Sequence, residues 1–346
     1  MKTSTFEDLV SIATLAFLLI VVNFVIYIIY NRYYKVKPYS REETAPKGFN
    51  APLAFEGFED ASGQADQSKY EWLDNTALYD DFYADLYDKL TQRDKIAQAE
   101  VVKIVELFKK NAPSIRASEW IVLDAGCGTG ITTATLAAYN PARVIGVDKS
   151  EAMIRRARTK TIPATKLTPE QIERIEFRVA DLNSPSILKE GQATHAVCTY
   201  FTLYYIPDMS TFFQNMFYWV RPGGVLVVQA VNKHKFDPML ESAAPTVFSF
   251  QKYSKERIKK SVVAFDKMDY EAEFDLEEDG GADTAEFRET FRFKDGTVRR
   301  QKHTFKMPDL KVVVSKATAA GWAYRGFQDL TPIGFEYAYF MVFTRS

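Results

Sequence analysis

The sequence predicts an α/β protein: a mostly parallel sheet with helices on both faces, interrupted by an antiparallel β subdomain and preceded by one membrane-spanning helix. Three observations carry this expectation. Between about 119 and 231, short β-branched runs alternate with helical patterns. Past Asn232 the pattern changes to strict alternation of apolar and charged residues, and Leu9 to Tyr30 contains no charge at all. Strands that alternate with helices pair in parallel through crossovers, whereas strict alternation marks strands with one face in solvent.

The 346 residues suffice for one large or two ordinary domains. With 47% hydrophobic and 26% charged residues, the chain has ordinary globular composition. A formal net charge of −1 sets up no field toward nucleic acid, and no nucleic-acid partner is expected. Cys127 and Cys198 are too few for a disulfide framework and read as buried reduced thiols. His195, His234 and His303 lie far apart, no Cys/His cluster has ligand spacing, and no metal site is expected.

The uncharged run of 22 residues, at ~1.5 Å per residue, spans a hydrocarbon core of ~30 Å. Glu7 and Asp8 before it and "YIIYNRYYK" after it do not suit a cleaved signal peptide. Asn23 is its only strongly polar central residue, so the polar face of an interfacial helix is missing. Arg32, Lys35, Lys37 and Arg41 follow the run and Lys2 precedes it. The positive-inside rule then predicts a single-pass topology, N-terminus outside and the large domain cytoplasmic. The anchor occupies 1–35, and residues 36–70, rich in proline and glycine, read as a linker.

In "NTALYDDFYADLYDKL", Leu78, Phe82, Leu86 and Leu90 have helical spacing, with Asn75 or Thr76 as cap. A second helix is expected over Asp94–Lys110. Then follow the strand "WIVLDA", the helix "ITTATLAAY", the strand "ARVIGVD", the helix "SEAMIRRARTK", the strands "IEFRVAD" and "THAVCTY", the helix "STFFQNMFYWV" and the strand "GVLVVQAV". The α/β domain is assigned to 71–231 and 308–346, and the insertion to 232–307. In "KMDYEAEFDL" an acidic face carries Asp269, Glu271, Glu273 and Asp275, while "EFRETFRFK" and "TVRRQKHTFKM" are basic. Charge pairing between strands explains that arrangement better than a nucleic-acid surface.

The chemistry concentrates in "VLDAGCGTG". Its glycines, Gly126, Gly128 and Gly130, follow a strand and open a helix, which brings backbone close to a ligand. No Lys-Ser/Thr pair follows, so this is not a P-loop, and the spacing is not that of a dinucleotide pyrophosphate loop. Asp124 sits two residues before the first glycine; a carboxylate repels phosphate but suits an ammonium or sulfonium group. Asp148 ends the second strand, 24 residues on, where it can accept both hydroxyls of a ribose or stabilise a helix N-terminus. Asp181 ends the third strand, where it can accept from an adenine amino group or hold a turn.

These residues resemble class I, Rossmann-like S-adenosylmethionine-dependent methyltransferases, over about Asn75 to Arg345. The resemblance implies a mostly parallel seven-stranded sheet and S-adenosyl-L-methionine as cofactor. It puts Asp124 by the methionine amino group, Asp148 on the ribose, Met153 against the adenine and Asp181 near its amino group. Ala125, Gly126, Cys127, Gly128, Gly130, Lys149 and Leu182 complete the implied binding set. Tyr87, with Tyr79 and Tyr83, is similar to the lid of small-molecule members, although the same row is also what one packed helix face looks like. The insertion after the fifth strand resembles the subgroup that methylates amino groups of small molecules. That implies an acceptor pocket partly built by the insertion, nitrogen over oxygen as acceptor, and a homodimer through the inserted sheet.

Two departures narrow the acceptor. His195 stands where the family often has an acid, and "TYFTLYYIPD" replaces the signature of enzymes that methylate DNA bases. An aromatic pocket of Tyr200, Phe201, Tyr204 and Tyr205 is expected instead. Methyl transfer from a sulfonium is an in-line displacement, helped mainly by desolvation and alignment. His234 and Tyr205 are the candidate bases, though a lone histidine is more often structural. The expectation is a membrane-anchored enzyme acting on a small molecule, lipid or glycan. A non-catalytic tethered protein that keeps the fold and a protein methyltransferase are the alternatives.

Overall fold

The computed structural model describes residues 72–91, 93–236, 260–265, 268–277 and 283–346. The expected anchor at 9–30 and linker at 36–70 lie outside the described residues. Among the described residues, no helix is long and apolar enough to cross a membrane.

Helix α1 (Asp81–Thr91) precedes α2 (Arg93–Asn111), whose Val101, Ile104, Val105 and Phe108 form one buried stripe. Strand β1 (Ile121–Ala125), helix α3 (Ile131–Ala137) and strand β2 (Arg143–Asp148) follow. Helix α4 (Glu151–Arg156) is capped by the Ser150 hydroxyl and continues through a wider turn, Ala157–Thr161. Helix α5 (Pro169–Glu173) leads to β3 (Ile175–Val179), and β4 (Ala193–Cys198) comes next. The short α6 (Thr202–Tyr205), α7 (Met209–Trp219) and β5 (Val220–Val231) complete the first run. Asp208 caps α7, accepting from the backbone N–H groups of Ser210 and Thr211.

The main sheet has seven strands in the order β10-β11-β5-β4-β1-β2-β3, where β10 is Trp322–Asp329 and β11 is Ala338–Arg345. The β1–β2, β2–β3, β1–β4 and β4–β5 pairs are parallel; β11 is antiparallel to both its neighbours. Every residue of β4 is buried, which requires cover on both faces. Chain direction out of the sheet reverses between β1 and β4, so the loops after them diverge and leave a crevice at their carboxyl ends.

The second sheet, β6-β7-β8-β9, comprises Lys260–Ala264, Met268–Glu277, Thr284–Phe293 and Val298–Lys306. It is antiparallel throughout. The alternation in β7 is realised: Met268, Tyr270, Ala272 and Phe274 are buried. Charge pairing joins Arg288 to Glu273 at 3.8 Å and Lys302 to Glu286 at 2.9 Å. Helix α8 (Leu310–Ala319) returns the chain to the main sheet.

One local expectation is corrected. Helix α1 is not capped by Asn75 or Thr76 but by Asp80, whose carboxylate accepts from the Tyr83 backbone N–H at 3.0 Å. Asn75 instead brackets Thr304, accepting from its N–H at 3.0 Å and donating to its carbonyl at 2.7 Å. Leu73 also exchanges backbone hydrogen bonds with Arg300 and Lys302. The segment before α1 therefore lies along β9, because pairing with an open strand satisfies more backbone groups than one extra helical turn.

Candidate active site

The loop after β1 is held by backbone and one carboxylate. The N–H groups of Gly126 and Cys127 donate to the Val147 carbonyl at 2.8 and 3.0 Å. Gly128 N–H donates to Asp148 Oδ2 at 2.9 Å, and Ser150 N–H to Oδ1 at 2.9 Å. Gly126 takes φ 72°, and a Cβ there would fall 2.2 Å from Thr202 Cγ2. Only glycine allows this loop to run so close to α6. Asp148 is thus half committed to shaping the loop. Burial raises its pKa, and the donors from Ser150 and Gly128 work against that rise.

Asp124 is fully buried. Its Oδ2 accepts from Thr133 Oγ1 at 2.6 Å, while Oδ1 has no partner. Burial pushes its pKa up to about 6, against the pull of Thr133 and of the Arg93 charge. Arg93 opens α2 and is the residue that reading the sequence missed. Its Nη2 donates to Glu100 Oε2 at 2.7 Å and to Thr132 Oγ1 at 3.2 Å. Its guanidinium lies 5.1 Å from the Tyr200 ring centre, and its Nη1 has no partner. Desolvation opposes the charge, but Glu100 keeps the guanidinium firmly protonated. No motif announces Arg93; only the return of α2 across the sheet brings it to the glycine loop.

The crevice is lined by Tyr87, Arg93, Gly126, Cys127, Gly128, Thr129, Thr199 and Tyr200, among others. Its cavity is about 30 Å³. That is the room of one water, against the order of 300 Å³ or more that a nucleoside-sized ligand occupies. Helix α1 closes it. Ser150 Oγ donates to the Tyr79 carbonyl at 2.7 Å, Thr129 Oγ1 donates to Asp88 at 2.5 Å, and Arg155 pairs with Asp81 at 2.9 Å. Arg156 pairs with Asp85 and Asp88.

The remaining sequence-derived residues divide. Ala125, Met153 and Leu182 are buried, Lys149 is exposed, and Asp181 is exposed with Oδ1 accepting from Asn183 N–H at 2.9 Å. Gly130, with φ 81°, opens α3. Tyr79, Tyr83 and Tyr87 form one aromatic row, so the lid and packing readings coincide. His234 is not brought to the crevice: it sits on an exposed turn, 3.8 Å from Asp309. Tyr205 is half-buried and hydrogen-bonded to His303. His195 is structural: fully buried, stacked on Phe108 at 4.3 Å, its Nδ1 accepting from Val225 N–H at 3.2 Å. Cys127 and Cys198 are both buried and unbridged. Among the described residues, no group of three or more His, Cys, Asp or Glu is placed to hold a metal.

Residues 122–224 match a family described as "Methyltransferase domain". Trans-aconitate 2-methyltransferase of Methylobacterium radiotolerans is 34% identical over 110 residues, which cover 32% of this chain and 37% of that protein. The human mitochondrial ubiquinone biosynthesis O-methyltransferase is 28% identical over 183 residues, 53% of this chain and 45% of that protein. The chain therefore spans less than half the length of these curated relatives. Among solved structures, the CcbJ methyltransferase from Streptomyces caelestis superposes with a TM-score of 0.58 at 17% identity, covering 78% of this chain and 98% of that one. The sugar N-methyltransferase KedS8 from Streptoalloteichus gives 0.52 at 20% identity, covering 86% and 99%. The α/β unit has the fold of these methyltransferases, and residues 122–224 match the methyltransferase-domain family.

The unpartnered atoms fit that family's cofactor. The methionine end of S-adenosylmethionine is a zwitterion, with an ammonium and a carboxylate on one carbon. Asp124 Oδ1, an acceptor, and Arg93 Nη1, a donor, are the matching pair of buried groups without partners.

Proposed function

We infer that the chain is a methyltransferase that takes a methyl group from S-adenosylmethionine and passes it to a small-molecule acceptor. The observation that carries this is that two buried atoms of opposite character near the glycine loop, Asp124 Oδ1 and Arg93 Nη1, lack a hydrogen-bond partner, although Arg93 is also paired with Glu100. When bound, S-adenosylmethionine supplies a methyl group already made electrophilic by its sulfonium.

The chain's residues do the rest. Arg93 holds the carboxylate, Asp124 the ammonium, and Asp148 has lone pairs left for the ribose hydroxyls. Met153 and Leu182 offer the apolar surface for the adenine, with Asp181 at its edge. Entry requires α1 to lift from α4, breaking the exposed Asp81–Arg155 pair and the contacts of Asp85 and Asp88. The exposed Asp81–Arg155 pair is worth about 1 kcal/mol or less; the larger cost lies in Arg156 and Asp88, both mostly buried, and in the packed Tyr83, Ala84 and Leu90. Reclosure would bring Tyr87 and Tyr200 back together at the crevice, which would exclude water and align the acceptor.

The uncharged run at 9–30 adds a membrane anchor to this reading, with the enzyme on the cytoplasmic side and acceptors at or near the bilayer. A homodimer through the inserted sheet, suggested by its family resemblance, belongs to the same proposal. Relatives include enzymes named for oxygen and for nitrogen acceptors.

Calorimetry of the full chain in detergent tests the reading. S-adenosylmethionine binds, Arg93→Met weakens it at least tenfold, and Asp148→Ala abolishes it. Absence of binding by the parent protein overturns the proposal.

A further inference from the structure

The inserted sheet and α6 hold a second cluster of buried polar groups, which the methyl donor does not use. Glu289 on β8 is fully buried and accepts from Tyr270 Oη on β7, from Gln301 Nε2 on β9 and from His303 Nε2 on β9, each at 2.6 Å. Burial favours its neutral form, but these three partners outweigh burial and hold its pKa below the usual carboxylate range. His303 Nε2 faces the Glu289 carboxylate, and Nδ1 is turned toward α6. Tyr205 Oη, on α6, meets that Nδ1 at 2.5 Å. The Tyr79 ring packs edge-on against that of Tyr205, with centres 5.6 Å apart. The chain thus runs from Tyr205 to His303 to Glu289. The other ionisable groups around it are Tyr79, Tyr83 and Tyr87, Asp148 beside Tyr79, and Arg299, which donates to Gln301.

The chain begins one aromatic layer from the crevice. Tyr79 touches Tyr205 with ring centres 5.6 Å apart and Tyr87 at 6.4 Å, and Tyr87 meets Tyr200 at 6.4 Å. The backbone on either side of Tyr79 is tied to β9 by Arg299, through the Leu78 carbonyl at 3.0 Å and Asp80 at 2.6 Å, so a turn of the half-buried Tyr79 side chain is what uncovers Tyr205. The place it leaves is bounded by tyrosine rings and faces an oxygen that can hand its own proton onward.

The geometry points to Tyr205, backed by His303 and Glu289, as the proton acceptor for a hydroxyl substrate, and hence to an alcohol or phenol rather than an amine as the methyl acceptor. This rests on the methyltransferase reading above. An oxygen lone pair forms the new O–C bond to the methyl group, and the C–S bonding pair returns to sulfur, leaving a neutral thioether. The substrate proton moves to the Tyr205 oxygen while the Tyr205 proton moves to His303 Nδ1. The positive charge lost from the sulfonium reappears on the imidazolium, where Glu289 stabilises it. Tyr205 is never left as a phenolate, in keeping with its burial, which raises its pKa. A neutral amine attacks with a free lone pair and releases its proton afterwards, so it has no need of an internal relay.

The test uses the full chain in detergent, with 3,4-dihydroxybenzoate and benzylamine as probes and methyl-labelled S-adenosylmethionine as donor. Binding of S-adenosylmethionine stays within twofold of the parent in Tyr205→Phe, His303→Gln and Glu289→Gln; loss of binding in the parent itself indicts the methyltransferase reading instead. Transfer to the phenol falls about 100-fold or more in Tyr205→Phe, the usual loss for a general base. In His303→Gln and in Glu289→Gln kcat for the phenol falls while KM holds. Near-UV circular dichroism checks that each variant is folded. Transfer to the phenol that ignores all three substitutions overturns the proposal, as does a parent enzyme that methylates benzylamine but not the phenol. Whatever the probes do, nitrogen-15 spectra of labelled histidine decide the relay: His303 protonated on Nε2 supports it, and protonation on Nδ1 overturns it.

Discussion

Asp124 gives the sharpest quantitative expectation. Its carboxyl is fully buried, keeps one oxygen unpartnered, and has its pKa raised from 3.8 to about 6. A raised carboxyl pKa means the folded state holds a proton that the unfolded state has already released. Stability from this group is therefore fully present below about pH 4 and is lost as pH rises through about 6. A shift of that size, at about 1.4 kcal/mol per unit, amounts to a penalty of about 3 kcal/mol at pH 7.5 and about 1 kcal/mol at pH 4.5. Asp124→Asn abolishes the titration. The amide keeps an acceptor for Thr133 but puts an unpartnered N–H₂ where Oδ1 was, a loss of about 1–3 kcal/mol that does not depend on pH. The difference between the two pH values is therefore the informative quantity. Urea unfolding of both proteins without ligand gives a variant that is better, relative to the parent, by about 2 kcal/mol at pH 7.5 than at pH 4.5. The same substitution removes the partner of the methionine ammonium and weakens S-adenosylmethionine binding at least tenfold. A relative stability that does not change with pH would refute the reasoning, because Asp124 would then have to be solvated or paired.

Two further outcomes follow from other parts of the structure. Burial holds His195 neutral with a pKa of about 3, so the unfolded chain gains a proton below pH 6.5 that the folded one refuses; stability falls on acidification by about 2 kcal/mol between pH 7.5 and 5 from this residue, and His195→Gln flattens that part of the urea-unfolding profile. Gly126→Ala adds a Cβ 2.2 Å from Thr202 at a positive φ, so it displaces the loop from α6 and abolishes S-adenosylmethionine binding in calorimetry, whereas Gly296→Ala, with open space around its Cβ, leaves binding unchanged.

The alternation of short strands and helices needs only local periodicity, and it is legible because a parallel sheet demands apolar strands with cover on both faces. The glycine loop is legible for the same local reason: three glycines, each at positive φ, and flanking aspartates at strand ends. The cap of α1 was misassigned because Asn75 finds a partner 229 positions away on β9, and no local signal competes with that pairing. Strand β6 carries no alternation long enough to announce it.

The polar groups divide along the same line. Asp124, Asp148 and the glycines lie within 25 residues of one another at the carboxyl ends of β1 and β2, so sequence alone determines that they stand together. Arg93 reaches that loop only because α2 packs back across the sheet. Tyr205, His303 and Glu289 stand on three elements separated by up to 98 positions, and His303 read by itself was an isolated histidine. Only the folding of the inserted sheet onto α6 brings them together, with Glu289 and His303 buried and Tyr205 half-buried, and that contact turns three ordinary side chains into one hydrogen-bonded chain.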